Sequence, residues 1–481
     1  MSESISAPLL ALNFCTNPAC SAFGSVNATD YSMAKDRRNP QIACIRCHRI
    51  SPIMWPDELS DEIRSQDEYI QHNLSSCSNK KCPNLGHNIQ LYPEQYYAFG
   101  FSGDKRRYRC KACQKTLVDR FSVTNPHLKV HVTILALILT GFSLKEVADK
   151  LTIQAKTLND HLKSMANMCR QKSTVFDHHW HNSAKRLLLG TDYCHLQPES
   201  DNGVLWICSA DLDSHYVPQQ TFNLSHKNRA NSRRLIAKDT VTSINTAPSH
   251  PASHALIDVL QAWRVNHHNR SHRSNPLHNK TQLNYPVTSL LVTPLYSATA
   301  HFMQLDQWMD DKEHVVFSMP FEPMLANGAL YGSPRLRHNN ALDLIYQMDD
   351  AQWSEHKAGS KPQVLSINKY DKPWSLSEQW RLRGKAEQRA ICQVVEQHLS
   401  LKQAHQLPKL SPISQYMDRF HAMFKSCVNE PRRKRRPEGL LPLLDIYRAW
   451  HNLCHQNKPG ETPAVKAGIS EKPLSLEQLL Q

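Results

Sequence analysis

Two sets of four cysteines are the residues here whose type and spacing most directly imply chemistry. The first set is Cys15-Thr-Asn-Pro-Ala-Cys20, a 23-residue span, then Cys44-Ile-Arg-Cys47. The second is Cys77-Ser-Asn-Lys-Lys-Cys82, a 27-residue span, then Cys110-Lys-Ala-Cys113. Thiolates bind zinc tetrahedrally, and a close pair brackets the ion from one short turn. The sets are copies of each other. Cys15 to Cys77, Cys20 to Cys82 and Gly24 to Gly86 are all offset by 62, whereas Cys44 to Cys110 and Cys47 to Cys113 are offset by 66. Asn17 and Asn79 also correspond. The competing reading is buried or disulfide-bonded thiols, but isolated cysteines do not repeat in register with Asn and Gly. The expectation is two structural Zn2+ ions per chain, one in each of two zinc ribbons, 1–65 and 66–125. Each ribbon is too poor in apolar residues for a core of its own, so metal binding must supply much of its folding free energy.

A second group of residues suits nucleic acid. The chain carries 57 Lys+Arg against 43 Asp+Glu, a formal charge of +14, which favours a polyanionic partner. In the second ribbon Lys105, Arg106, Arg107, Arg109, Lys111 and Lys115 crowd the last hairpin, interleaved with Tyr97, Phe99, Phe101 and Tyr108. Those rings either stack on bases or fill the small ribbon core.

Residues 126–180 form a candidate helix-turn-helix domain, within which 127–170 read as helices. His127–Thr140 forms one helix, and Ser143 with Glu146 makes a capping box for a second. The turn Thr152-Ile-Gln-Ala-Lys156 then leads into a third, with Val147, Ala148, Leu151, Leu158 and Leu162 facing inward. This resembles a helix-turn-helix whose second helix offers Gln154, Lys156, Thr157, Asn159 and Lys163 to a major groove. The turn lacks the glycine often found there, and a plain helical hairpin is the alternative. Asp177-His-His-Trp-His181 follows, as a helix end or linker, or as a metal-binding cluster.

From 181 to 470 the pattern turns mixed. Arg186–Asp192 is a strand delivering an Asp at its end, Gly203–Asp211 a second strand and Tyr216–Leu224 a third, weakened by Pro218. Short links between them suggest an antiparallel meander. Residues 225–286, rich in His, Asn, Ser and Arg, read as an exposed insertion containing one helix, Ser253–Trp263. Val287–Thr293 and His314–Met319 are strands, and Ser297–Met309 is a helix. Gln415–Phe424 is an amphipathic helix, with the basic run Arg432–Arg436 beyond it.

The order of these parts, with the tail Trp450-His-Asn…Pro459-Gly-Glu-Thr-Pro-Ala464…Ala467-Gly468, resembles DDE transposases of bacterial insertion sequences. The resemblance implies an α+β multidomain chain: two zinc ribbons, a helical helix-turn-helix domain and an RNase H-like mixed α/β core. It implies double-stranded DNA as partner, a homo-oligomer on that DNA, and three acids holding two Mg2+ ions about 4 Å apart for cleavage and strand transfer at mobile-element ends. Asp192 matches the first acid. Neither candidate strand for the second acid ends in Asp, which leaves Glu322. The third acid is normally a Glu on a late helix before Arg; here it is Asp418, before Arg419. The incomplete set keeps open a catalytically inactive DNA-binding regulator or accessory factor. A zinc-ribbon transcription regulator with an unrelated C-terminal sensor domain is a more distant option.

Scattered cysteines such as Cys169, Cys194 and Cys392 fit a reducing cytoplasm. The N-terminus lacks the basic start of a signal peptide, and the apolar run Val132–Leu139 is too short to span a bilayer.

Overall fold

The computed structural model describes residues 12–481 apart from 18–19, 34–40, 72–74, 80, 86, 104, 120–124, 184, 197–203, 224–293, 310, 321, 348–380, 383–389, 396–397, 400, 405 and 425–438. The expected helix Ser253–Trp263, strand Val287–Thr293 and basic run Arg432–Arg436 lie outside the described residues.

Strands β1 (Tyr31–Met33), β2 (Gln41–Cys44) and β3 (Ile50–Pro52) form a small antiparallel sheet. Helix α1 (Pro56–Gln71) follows and crosses the boundary expected at residue 65. A second three-stranded antiparallel sheet comprises β4 (Tyr96–Ser102), β5 (Lys105–Cys110) and β6 (Thr116–Val118).

Three helices come next: α2 (Leu128–Leu139), α3 (Leu144–Lys150) and α4 (Ala155–Ser183). The capping box starting α3 is present, with Ser143 Oγ accepting from Glu146 N–H and Glu146 accepting from Ser143 N–H. Buried Ile134, Leu135, Ile138, Val147, Ala148, Leu158 and Leu162 join the main core. Helix α4 runs well past the expected hairpin, because its apolar stripe continues through Met165, Ala166, Cys169 and Trp180.

The large sheet has the order β12-β13-β11-β10-β7-β8-β9. Its strands are β7 (Arg186–Leu196), β8 (Val204–Asp211), β9 (Gln219–Phe222), β10 (His314–Pro320), β11 (Leu342–Gln347), β12 (Arg381–Leu382) and β13 (Ala390–Val395). The expected meander is present, with β7–β8 and β8–β9 antiparallel. β10 then lies parallel to β7 on its other side and to β11 beyond. Parallel neighbours need a crossover, and helices supply it. Helices α5 (Pro294–Gln307), α6 (Pro323–Gly332) and α7 (Pro334–His338) accompany these strands. α6 sits close on α5 because Gly328 and Gly332 carry no side chain; a Cβ on Gly328 would stand 2.8 Å from that of Ala298.

The final helices are α8 (Leu401–Ala404), α9 (Ser411–Met423), α10 (Leu441–Leu453), α11 (Pro463–Lys466) and α12 (Leu476–Leu480). α9 lies on β7 and β8, α10 on α4, and α12 on α2. The tail pattern is largely capping chemistry. Thr462 caps α11 with Pro463 at its first position, and Gly468 leaves that helix at φ +71. Asn452 instead grips the peptide of Val217, donating to its carbonyl and accepting from its N–H, both at 2.9 Å.

Candidate metal centres, DNA-facing surface and acid site

In each small sheet four thiols converge. Cys15 and Cys47 Sγ are 3.5 Å apart and Cys20 and Cys44 3.8 Å; Cys77 and Cys113 are 3.5 Å apart and Cys82 and Cys110 3.7 Å. The edge of a tetrahedron with Zn–S bonds of ~2.3 Å is ~3.8 Å, whereas a disulfide sets its sulfurs at ~2.05 Å. The eight cysteines are free thiols at zinc-binding separations.

The two knuckles are built alike. Cys20 N–H donates to the Asn17 carbonyl and Cys82 N–H to that of Asn79. His48 and Gln114, each one residue beyond the last cysteine, share a left-handed backbone at φ 58 and 61. Tyr31 and Tyr96 accept from Cys15 N–H and Cys77 N–H and donate to the carbonyls of Ser25 and His87. These tyrosines were not singled out from the sequence; their separation of 65 falls between the repeat's offsets of 62 and 66.

The thiols differ electrostatically. Burial pushes Cys77 up to about 12, while the Lys115 N–H chiefly holds Cys113 down to about 6. Burial raises Cys47, but hydrogen bonds from Arg49 N–H and neighbouring groups outweigh it and lower the thiol overall. Low-lying thiols are ready ligands, since the thiolate is the form that binds metal.

The second three-stranded sheet carries an exposed cationic and aromatic face. In β4 and β5, Arg109 lies 4.2 Å from the centre of the Phe99 ring and Arg107 5.4 Å from it, while Arg106 lies over Tyr108. Phe101 is 68% exposed, and Tyr97 and Phe99 are also exposed. Only Tyr108 of the four packs against the ribbon core, so the core-filling alternative fails for the other three. The cause is size: Ile89, Tyr96 and the cysteines already fill this core.

Gln154, Lys156, Thr157, Asn159 and Lys163 all stand exposed at the start of α4. The turn before it places Thr152 at φ 53, where a glycine would be unstrained. The histidines of 177–181 end α4, as one expectation had it, and form no metal cluster among the described residues. Asp177 instead pairs with Arg448 at 2.6 Å and accepts from Tyr216 OH.

The acids are less concentrated than the resemblance implies. β7 does not end at Asp192; its ladder with β8 runs on to Leu196, with Asp192 opposite Cys208. One face of β7 presents Gly190, Asp192 and Cys194 to α9. Asp192 Oδ2 accepts from Ser414 Oγ at 3.1 Å, and Cys194 Sγ is 3.4 Å from His421 Nε2. Asp418, one turn beyond Ser414, is exposed. Burial pushes the Cys194 thiol well up, helped by the negative charges of Asp192 and Asp418. Burial lowers the His421 imidazole, against an opposing pull from Asp418. Cys194, Ser414 and His421 were not selected from the sequence as site residues; the i, i+7 spacing of the last two on an amphipathic helix was the available signal.

Glu322 stands apart. It caps α6 by accepting from Met324 N–H, and accepts at 2.9 Å from the hydroxyl of Tyr193, a residue on the opposite face of β7 from Asp192. On β10 the registered pairs with β7 end at Ser318 opposite Gly190, so Pro320 comes abreast of Asp192. Among the described residues, the ligand groups of three or more that meet within 4.8 Å are the two cysteine sets; Asp192, Glu322 and Asp418 do not meet so closely. No described helix is long and apolar enough to cross a membrane.

Comparison with protein-family models, with curated proteins and with solved structures gives no match.

Proposed function

We propose that this chain is a DNA-binding protein of the transposase kind, built on an RNase H-like core. The observation that carries the reading is the strand order β9-β8-β7-β10-β11, with three antiparallel strands, two further parallel ones and Asp192 on the central strand. That is the order of an RNase H-like sheet, and it suits an acid held rigidly on its first strand. Zinc in the two cysteine sets would hold the ribbons; the exposed arginine and aromatic hairpin and the start of α4 would contact duplex DNA. In the enzymatic form, Asp192 and Asp418 are the residues that would hold Mg2+, and the ion would activate the attacking oxygen and stabilise the leaving one.

The separation of Glu322 from Asp192 favours a second reading, in which the chain binds mobile-element ends without cutting them. One experiment separates the two. DNA carrying the element's ends is incubated with protein and Mg2+ or Mn2+, and binding, cleavage and joining are scored. The enzymatic reading expects cleavage that Asp192→Asn abolishes while binding persists. Binding without cleavage, or equal cleavage by Asp192→Asn, removes the catalytic assignment. No binding at low salt removes the DNA-binding reading itself.

A further inference from the structure

A cavity of about 430 Å³ lies where the second ribbon, α1, α4, β9, α5 and α10 meet. Asp192, Glu322, Asp418 and the eight clustered cysteines are not among its lining residues. Its volume suits a small organic molecule, for which pockets of ~300–1,000 Å³ are usual.

Its charges are already matched. Arg170 pairs with Asp445 and also bonds Tyr69, while Arg448 pairs with Asp177 at 2.6 Å. Two guanidiniums against two carboxylates leave no net charge to receive an ion, and an unmatched ion would lose its hydration there. The ligand chemistry that fits is therefore neutral.

Its hydrogen bonding is not fully matched. Gln66, Asn88 and Arg170 line the cavity, and Gln66 Oε1, Asn88 Nδ2 and Arg170 Nε are buried without a partner among the described residues. Gln66 and Asn88 are 7% and 2% exposed, too little for bulk water to serve them. Buried polar atoms are nearly always satisfied, so three orphans at one cavity ask for an occupant. That occupant must offer a donor to Gln66 and acceptors to Asn88 and Arg170.

The remaining requirement is shape. Tyr69 lies under Arg170, 4.4 Å from ring centre to guanidinium, Tyr92 stacks on His87 at 4.6 Å, and Trp308 adds a further ring to the lining. Rings beside paired donors and acceptors suit a flat heterocycle. Side-chain amides and arginine match the edges of bases, and aromatic rings match their faces.

We propose that this cavity binds a nucleobase, presented by a free nucleoside or by an unstacked nucleotide of a bound strand. The second source rests on the DNA-binding reading: His87, Asn88 and Tyr92 of the cavity wall belong to the second cysteine region, which also carries the exposed rings Phe99 and Phe101. The assignment does not use the acid site, so loss of cleavage and loss of base binding are separately readable.

The test uses full-length zinc-loaded protein. Adenosine, guanosine, cytidine and thymidine are titrated and followed by saturation-transfer NMR; separately, 2-aminopurine within a single-stranded oligonucleotide is followed by fluorescence. Thr174→Phe fills the cavity from α4, and Gln66→Met removes one unfilled acceptor at similar volume, together with the Gln66 Nε2 donation to Glu62. Saturable binding of at least one nucleoside is expected, weakened about tenfold or more by Thr174→Phe and less by Gln66→Met, with altered base preference in the latter. An unstacked base as the source predicts a 2-aminopurine change that Thr174→Phe removes. A free nucleoside predicts no such change, with nucleoside binding intact. Melting and zinc content establish that each variant is folded, and Gln66→Met alone decides if Thr174→Phe is not. The proposal is overturned if neither nucleosides nor 2-aminopurine give a saturable signal, as for a cavity filled by ordered water. It is also overturned if the folded variants bind as the parent does.

Discussion

Thr152 connects α3 to α4 with a left-handed backbone, φ 53, while its N–H and that of Ile153 close the helix on the carbonyls of Asp149 and Ala148. A β-branched side chain is unfavourable in that region, by about 1–2 kcal/mol for L-residues in general, while glycine costs about 0.5–1 kcal/mol in unfolded-state entropy. Thr152 is exposed, so its side chain contributes little packing in return. Thr152→Gly is therefore expected to stabilise the protein by about 0.5–1 kcal/mol, seen as a higher urea midpoint with unchanged slope. A lower midpoint would mean that the threonine makes an interaction stronger than its strain. The absence of glycine from this turn was legible in the sequence. That the turn keeps its geometry without one was not, because φ is imposed here by the two flanking helices.

Among elements, the β4–β5 hairpin joins a candidate metal ligand to the exposed arginines. Cys110 ends β5 and is fully buried, and the same strand carries Arg106, Arg107 and Arg109 outward. Metal binding should therefore order the surface proposed to meet DNA. Cys110→Ser is expected to reduce zinc from two ions per chain to one, by elemental analysis, and to weaken DNA binding by the whole protein. Unchanged zinc content would refute the second cluster. Phe99→Ala with Phe101→Ala should leave zinc and melting almost unchanged, because both rings are exposed. If the rings stack on bases, the pair should weaken single-strand binding by about 1–3 kcal/mol per lost stack. A duplex-only effect of the neighbouring arginines, with no effect of the rings, would assign this face to phosphate contact alone.

For the whole molecule, buried imidazoles tie stability to pH. Burial lowers His131 to about 4 and His301 to about 3; for His451, burial and then Arg419 lower it to about 3. His301 sits between Ser209 and Thr221, at 2.8 and 2.9 Å, and His131 between Asn125 and His161. Unfolded histidines titrate near 6.5, so on acidification the unfolded chain takes up protons first. Their stabilising contribution is full above about 6.5 and is lost as pH falls toward the folded values near 3 to 4. Urea unfolding at pH 7.5, 6 and 5 should show falling stability. His301→Gln should reduce that slope by up to about one proton relative to the parent, a difference that zinc release, common to both, does not produce. An unchanged slope would mean that His301 titrates normally.

The cysteine sets needed only the sequence, because each ligand pair lies within one turn and the repeat fixes which pairs belong together. The helix starts at Ser143 and Thr462 were equally local, since a cap acts over three residues. The meander β7–β8–β9 and the strand at 314–319 were legible from apolar runs. The sequence was silent on how far α4 extends, and on β11 and β13 within 330–410. Contacts across long separations were decided only by tertiary packing. Ser414 meets Asp192 across 222 residues and Arg448 meets Asp177 across 271. Glu322, 129 residues from Tyr193, is drawn to that hydroxyl rather than to Asp192 because alternate residues of β7 point to opposite faces. The cavity is likewise a product of assembly: its wall comes from six separate elements, and no one of them carries a pattern that announces it.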